Sequence, residues 1–217
     1  MHAPRLAAIA SALLAAPLLF VSGSTPLVAA DHLDPPSRTD PDVDKTPDFA
    51  ADIADVYTFT NGNRFVVALT FAGPQAGQPA SYDRDVLYKL NISNAGTRDV
   101  PEFTIRVRFG QNAKGVSGVQ FEGVPGAAPV VSGPVENTIT SNGVLMKAGL
   151  VEDPFRFDLL GFRATSSSGT LMFRNDRDFF LDKNDTMFVI DMPLSAVQNP
   201  GNVITVWGTT ERFGGNI

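Results

Sequence analysis

Short apolar runs of period two, set off by Gly, Pro and Asn, predict an all-β chain: mainly an antiparallel β-sandwich, jelly-roll-like, with one or two short helical turns. Three observations carry that prediction. Residues 56–60 and 64–72 flank Asn61-Gly62-Asn63, and an Asn-Gly pair between apolar runs is a strong hairpin signal. Over residues 85–93, Val86, Tyr88, Leu90 and Ile92 alternate with Leu87, Lys89, Asn91 and Ser93, so the even-numbered face is the one to bury. Over residues 102–109, Phe103, Ile105, Val107 and Phe109 alternate with Thr104, Arg106 and Arg108. With Asn94-Ala95-Gly96 between them, these last two segments read as antiparallel neighbours.

Taken in order, residues 1–30 hold one charge, Arg5, ahead of an apolar run over residues 6–21 that Pro17 interrupts. The run is too short and too broken for a membrane span. Val28 and Ala30 stand three and one residues before Asp31, the layout of a signal peptide cleaved between Ala30 and Asp31. Export to the periplasm or the extracellular space is therefore expected. No later segment is apolar enough to cross a bilayer. Cleavage leaves 187 of the 217 residues, enough for one domain with a single core.

Residues 31–48 are rich in Pro and Asp and have no period, which predicts an extended arm; residues 49–217 form the sandwich domain. Further strands are expected at residues 118–122, 135–140, 144–148, 170–173, 186–192 and 203–208. Helix signals are few. Asp153-Pro154 ahead of Phe155 to Leu160 offers a cap and a first-turn proline, and Gly161 offers a stop. Residues 194–197 after Pro193 predict another single turn.

Composition narrows the chemistry. The net charge is −6, and loss of Arg5 makes the mature chain one unit more negative. Without a basic stripe to hold phosphates, nucleic acid is not an expected partner. The chain has no cysteine, which excludes disulfides, thiolate zinc sites and cysteine nucleophiles. The 16 Phe fall mostly at alternating strand positions and read as core.

Of the two histidines only His32 survives signal cleavage, so any Ser-His-acid triad would need it as base. An arm beside Asp31 is a poor place to orient a base, whereas a ligand role suits it better. Cleavage before Ala30 would instead give Ala30-Asp31-His32, a spacing that rings Cu(II) or Ni(II) in a square plane; haem or copper capture by His32 is a lower reading. Asp40, Asp42 and Asp44 resemble the start of an EF-hand loop. Lys45 in place of its glycine and Ala51 in place of its bidentate glutamate exclude one.

A looser hard-cation site remains, assembled from His32, Asp34, Asp52 and Asp55 with Tyr57 packed behind them, and calcium is the ion that such oxygen donors suit best. The alternative role for these aspartates, and for Asp83 and Asp85, is to cap turns. A second acidic group, Asp176, Asp178, Asp182 and Asp185, is interleaved with bases and reads as a self-paired solvated loop. Asn91-Ile92-Ser93 and Asn184-Asp185-Thr186 match the glycosylation acceptor pattern.

Ala51-Asp52-Ile53-Ala54-Asp55-Val56-Tyr57-Thr58-Phe59 and Asp85-Val86-Leu87-Tyr88-Lys89-Leu90-Asn91-Ile92-Ser93-Asn94, following His32, resemble the bacterial domain-of-unknown-function 4331 family (DUF4331). Asp153-Pro154-Phe155-Arg156-Phe157-Asp158-Leu159 and Val206-Trp207-Gly208-Thr209-Thr210 are similar to its later landmarks. Two departures mark the chain as a compact variant: Leu33 follows His32 where members often carry Ser-Ser-His-Arg, and the chain stops soon after the Trp-containing strand. The resemblance implies an exported β-domain and no assigned activity. The expected function is a non-enzymatic extracytoplasmic module that binds an envelope or extracellular ligand or serves a structural role, with a divalent-cation site. The competing expectation is an extracytoplasmic hydrolase using the same carboxylates or a metal-bound water.

Overall fold

A computed structural model of the chain describes residues 34–38, 45–97 and 99–213. The segment 1–30 expected to be a signal peptide, the cleavage point expected between Ala30 and Asp31, His32, and the Asp40-Asp42-Asp44 run lie outside the described residues. Ten strands follow one another as β1 (Ile53–Asn61), β2 (Arg64–Ala76), β3 (Val86–Ser93), β4 (Phe103–Gln111), β5 (Ser117–Glu122), β6 (Val130–Pro134), β7 (Ile139–Ser141), β8 (Val144–Glu152), β9 (Lys183–Pro193) and β10 (Thr205–Arg212). One α-helix, α1 (Leu159–Ser168), and two 3-10 turns complete the list. The helix is far too short to cross a membrane.

The strands make two five-stranded antiparallel sheets, ordered β1-β2-β9-β8-β7 and β10-β3-β4-β5-β6. This is the all-β sandwich that the alternation predicts. Asn61 pairs with Arg64 across Gly62 and Asn63, and Gly62 takes a φ of 59° that suits the first position of so tight a hairpin. The even-numbered residues of β3 are buried as expected: Tyr88, Leu90 and Ile92 are wholly inaccessible and Val86 nearly so. Phe71, Tyr88, Phe109 and Phe188 meet between the sheets, with the Phe71 and Tyr88 ring centres 4.1 Å apart and Tyr88 edge-on to Phe109 at 5.8 Å. Each such ring pair adds about 1 kcal/mol to the apolar area it buries. β10 crosses close over the first sheet: a Cβ on Gly208 would lie 2.6 Å from Leu69 Cδ1 and 3.3 Å from Val56 Cγ2. Any larger residue there would push the two sheets apart.

The described arm residues fold back on themselves, with Ser37 bridged to Pro47, Arg38 N–H donating to the Thr46 carbonyl and Asp48 N–H to that of Pro36. Arg212, at the end of β10, anchors them. Its guanidinium donates to both carboxylate oxygens of Asp48 and, at 2.8 Å, to Asp83. The Arg212 side chain is 8% exposed and that of Asp48 5%, so the charges rely on one another. Arg212 is held more firmly protonated by its hydrogen bond to Asp48, against the opposing effect of burial.

Several boundaries differ from expectation for local reasons. Of the expected strand at residues 135–140 only Ile139 and Thr140 are strand, in β7, because the chain turns after β6 with Glu136 at a φ of 66°. Asp153 starts no helix; its Oδ1 accepts from Phe155 N–H in a tight turn, and the helix starts five residues later on Asp158, whose Oδ1 accepts from Gly161 N–H. Residues 170–173 form no strand, because Met172 N–H donates to Thr165 Oγ1 on α1 and not to a ladder. The β8–β9 segment that contains α1 builds a small aromatic cluster of its own, in which Phe155 meets Phe157 and Phe180 while Phe157 meets Phe162 and Phe173. Asn91 is 7% exposed, and Ser93 and Thr186 still less, so both glycosylation patterns lie in buried strands.

Replacing Arg212 with Met leaves Asp48 buried without its cation and is expected to cost about 3–5 kcal/mol at pH 7, read by urea unfolding. Burial pushes the Asp83 carboxyl up, but hydrogen bonds from Arg212 and the Asp85 N–H outweigh it and hold the group below its ordinary value. The folded value lies under the unfolded one, so this stabilisation is complete above the unfolded pKa, about 3.9. It is lost as the pH falls through the folded value. Below pH 4 the wild type is therefore expected to lose this increment, whereas Arg212→Met has less of it to lose.

Candidate functional site

Asp55 and Tyr57 stand on the outward side of β1, two residues apart, because Val56 between them packs toward the core. The Tyr57 hydroxyl donates to Asp55 Oδ2 at 2.8 Å, and Asp55 N–H donates to Thr70 Oγ1 at 3.0 Å. Although Thr70 also points away from the core, it is fully buried, as are Asp185 on β9 and Asp153 just after β8. This end of the first sheet is thus covered on its outer side too.

Tyr57 reports which charges gather there. Its phenol is pushed well above the ordinary tyrosine value, first by burial, then by its hydrogen bond to Asp55, and further by the negative charges of Asp55, Asp153 and Asp185. The neighbouring bulge in β2, between Phe71 and Gln75, makes room for the acids. A Cβ on Gly73 would lie 2.0 Å from Asp185 Oδ1, so only glycine allows that carboxylate to reach its position. Asp153 Oδ1 accepts from Phe155 N–H at 2.8 Å while Asp153 N–H donates to the Lys183 carbonyl, which fixes the acid at the mouth of the β8–β9 segment.

The residues expected to share a cation are distributed unevenly. Asp52 is 4% exposed at the entry to β1, where its carbonyl accepts from Ala72 N–H at 2.9 Å. Asp34 is exposed, and His32 lies outside the described residues. Tyr57, expected only to pack behind the acids, hydrogen-bonds directly to one of them. Asp153 and Asp185 were not expected to belong here: the first reads from sequence as a helix cap and the second as part of a self-paired solvated loop. Asp185 lies instead within β9, paired in register with Val151 and inaccessible to solvent. The alternation that follows it marks its side chain as outward, but no sequence signal says that this outward face is covered. Of the loop acids, Asp176 and Asp178 do pair with bases, Arg174 and Arg156.

Among the described residues, no group of three or more His, Cys, Asp or Glu side chains has the geometry to hold a metal ion. A second hub, Asp158, organises the β8–β9 segment. Its Oδ2 accepts from Arg174 N–H at 2.8 Å and from the Arg177 guanidinium at 2.7 Å. Burial alone would push its carboxyl up, but these bonds and the one from Gly161 N–H hold it below the usual range. Asp158→Ala is therefore expected to expose residues 159–181 to limited proteolysis while the sandwich itself stays resistant. Simultaneous cleavage of segment and sandwich would contradict a separable role for the hub. Comparison of the chain with protein-family models, with curated proteins and with solved structures finds no match.

Proposed function

We propose that the chain is an exported, non-enzymatic binding domain that carries a divalent cation, calcium by preference, at the Tyr57 end of its first sheet. One observation supports this above the others: the Tyr57 hydroxyl is hydrogen-bonded to Asp55 while two further acids, Asp153 and Asp185, lie fully buried at the same end of the sheet. Carboxylates brought together away from water favour a positive charge among them, and oxygen donors of this kind suit a hard ion. Asp55 and Asp185 are the first ligands in this reading, with His32, which lies outside the described residues, as the expected nitrogen donor. The resemblance of the segments around Asp55 and Trp207 to the domain-of-unknown-function 4331 family would agree with an exported module. Asp153 and Asp185 are fully buried, which favours a held ion over an attacked substrate.

Thermal unfolding with and without calcium tests the proposal. At calcium a hundredfold above its Kd, stabilisation of about 2.7 kcal/mol is expected, and for a domain of this size that raises Tm by roughly 5–10 °C. Asp55→Asn and Asp185→Asn are each expected to remove most of that rise. No rise with any divalent ion would overturn the cation site.

A further inference from the structure

The chain has no cysteine, so the methionine thioethers are the sulfur groups that an oxidant can attack. Of its five methionines, Met146, Met172, Met187 and Met192 are described. A thioether has no ionisable proton to tune its reactivity, and its reaction with a peroxide depends on whether the sulfur can be reached. Burial therefore ranks the four.

Met146 and Met192 belong to the core, 1% and 0% exposed, in register with Ile190 and Phe65. Met187 is half-buried on β9, opposite Thr70, which is itself inaccessible. Met172 differs: it is 47% exposed, in the irregular stretch between α1 and β9, and its neighbours Leu171 and Phe173 are exposed as well. The backbone at this point is held from both sides. Met172 N–H donates to Thr165 Oγ1 at 2.9 Å, and its carbonyl accepts from the Arg177 guanidinium at 3.1 Å. A fixed backbone thus presents an open thioether next to two exposed apolar side chains.

We propose that Met172 is a reversible oxidation site, the thioether among the described four that hydroperoxides reach first, and that its oxidation turns an apolar stretch of the β8–β9 segment polar while the sandwich stays intact. In the reaction a sulfur lone pair attacks the terminal peroxide oxygen. The S–O bond forms as the O–O bond breaks, and the departing oxygen takes up the attacked oxygen's proton and leaves as water or an alcohol. Sulfur is oxidised and the peroxide is reduced, so no further reactant is needed. The product is methionine sulfoxide, polar where the thioether was apolar, and reductases specific for each sulfoxide epimer can restore it. Met172 belongs neither to the core cluster nor to a strand ladder, so the added oxygen disturbs no contact between the sheets. Oxidation of Met146 or Met192 would place that oxygen among core side chains, where a polar atom without a partner is destabilising.

The test is timed exposure of the full chain to hydrogen peroxide, followed by peptide mass mapping of each described methionine. Met172 is expected to gain an oxygen atom roughly tenfold faster than Met146, Met187 or Met192, in keeping with its access. In urea the four rates should converge, because the fold and not the local sequence protects the other three. Protein oxidised at Met172 should elute earlier from a hydrophobic-interaction column with Tm unchanged, and the two reductases with a dithiol should restore its retention. Met172→Leu should lose the fast reaction and keep the wild-type Tm. Oxidation of Met187 as fast as that of Met172, rates that stay apart in urea, unchanged retention, or a Tm lowered by oxidation at Met172 would each overturn the proposal.

Discussion

The contact of Phe71 and Phe188 from one sheet with Tyr88 and Phe109 from the other is the constraint on which the rest of the structure depends. Side chains alternate across a strand, so fixing which residues meet in the middle also fixes which face outward. Tyr88 extends the constraint beyond the core, because its hydroxyl donates to the Ala50 carbonyl in the 3-10 turn that leads into β1. The same turn is held from the far side by Thr210, whose hydroxyl donates to the Ala51 carbonyl. The start of β1, and with it Asp55 and Tyr57, is thereby positioned by the aromatic centre and by β10 together.

Once the interior is set, the two outer faces diverge. On the first sheet Thr70 is covered and Asp153 and Asp185 are fully buried; on the second, the outward row through Arg108 stays open to solvent. This division links packing to the functional reading. Buried carboxylates suit a small ion that needs many oxygens. The buried ion pairs of Arg212 serve a separate purpose, joining the described arm to the sandwich at the end where Asp48 and Asp83 lie.

Much of the sandwich was legible because its signals are local. The period of two in β3 and β4 identifies the buried face, and Asn61-Gly62 marks its hairpin without reference to anything distant. The acidic site was less legible because its acids come from three separated strands or strand ends. Asp55 could be singled out by its position at a strand start, but Asp185 is hidden by a property of the whole molecule, the cover over its outward face. The helix was displaced by five residues for a related reason: Asp153 and Asp158 are both good caps, and what favours Asp158 is a set of donors from Arg174 and Arg177, some sixteen to nineteen residues further on.

The most direct test of the cation site is residue-resolved amide chemical-shift mapping of the protein titrated with calcium. Shifts centred on Asp55, Tyr57, Asp153 and Asp185 are expected. Shifts centred elsewhere, or none at these residues, would contradict it.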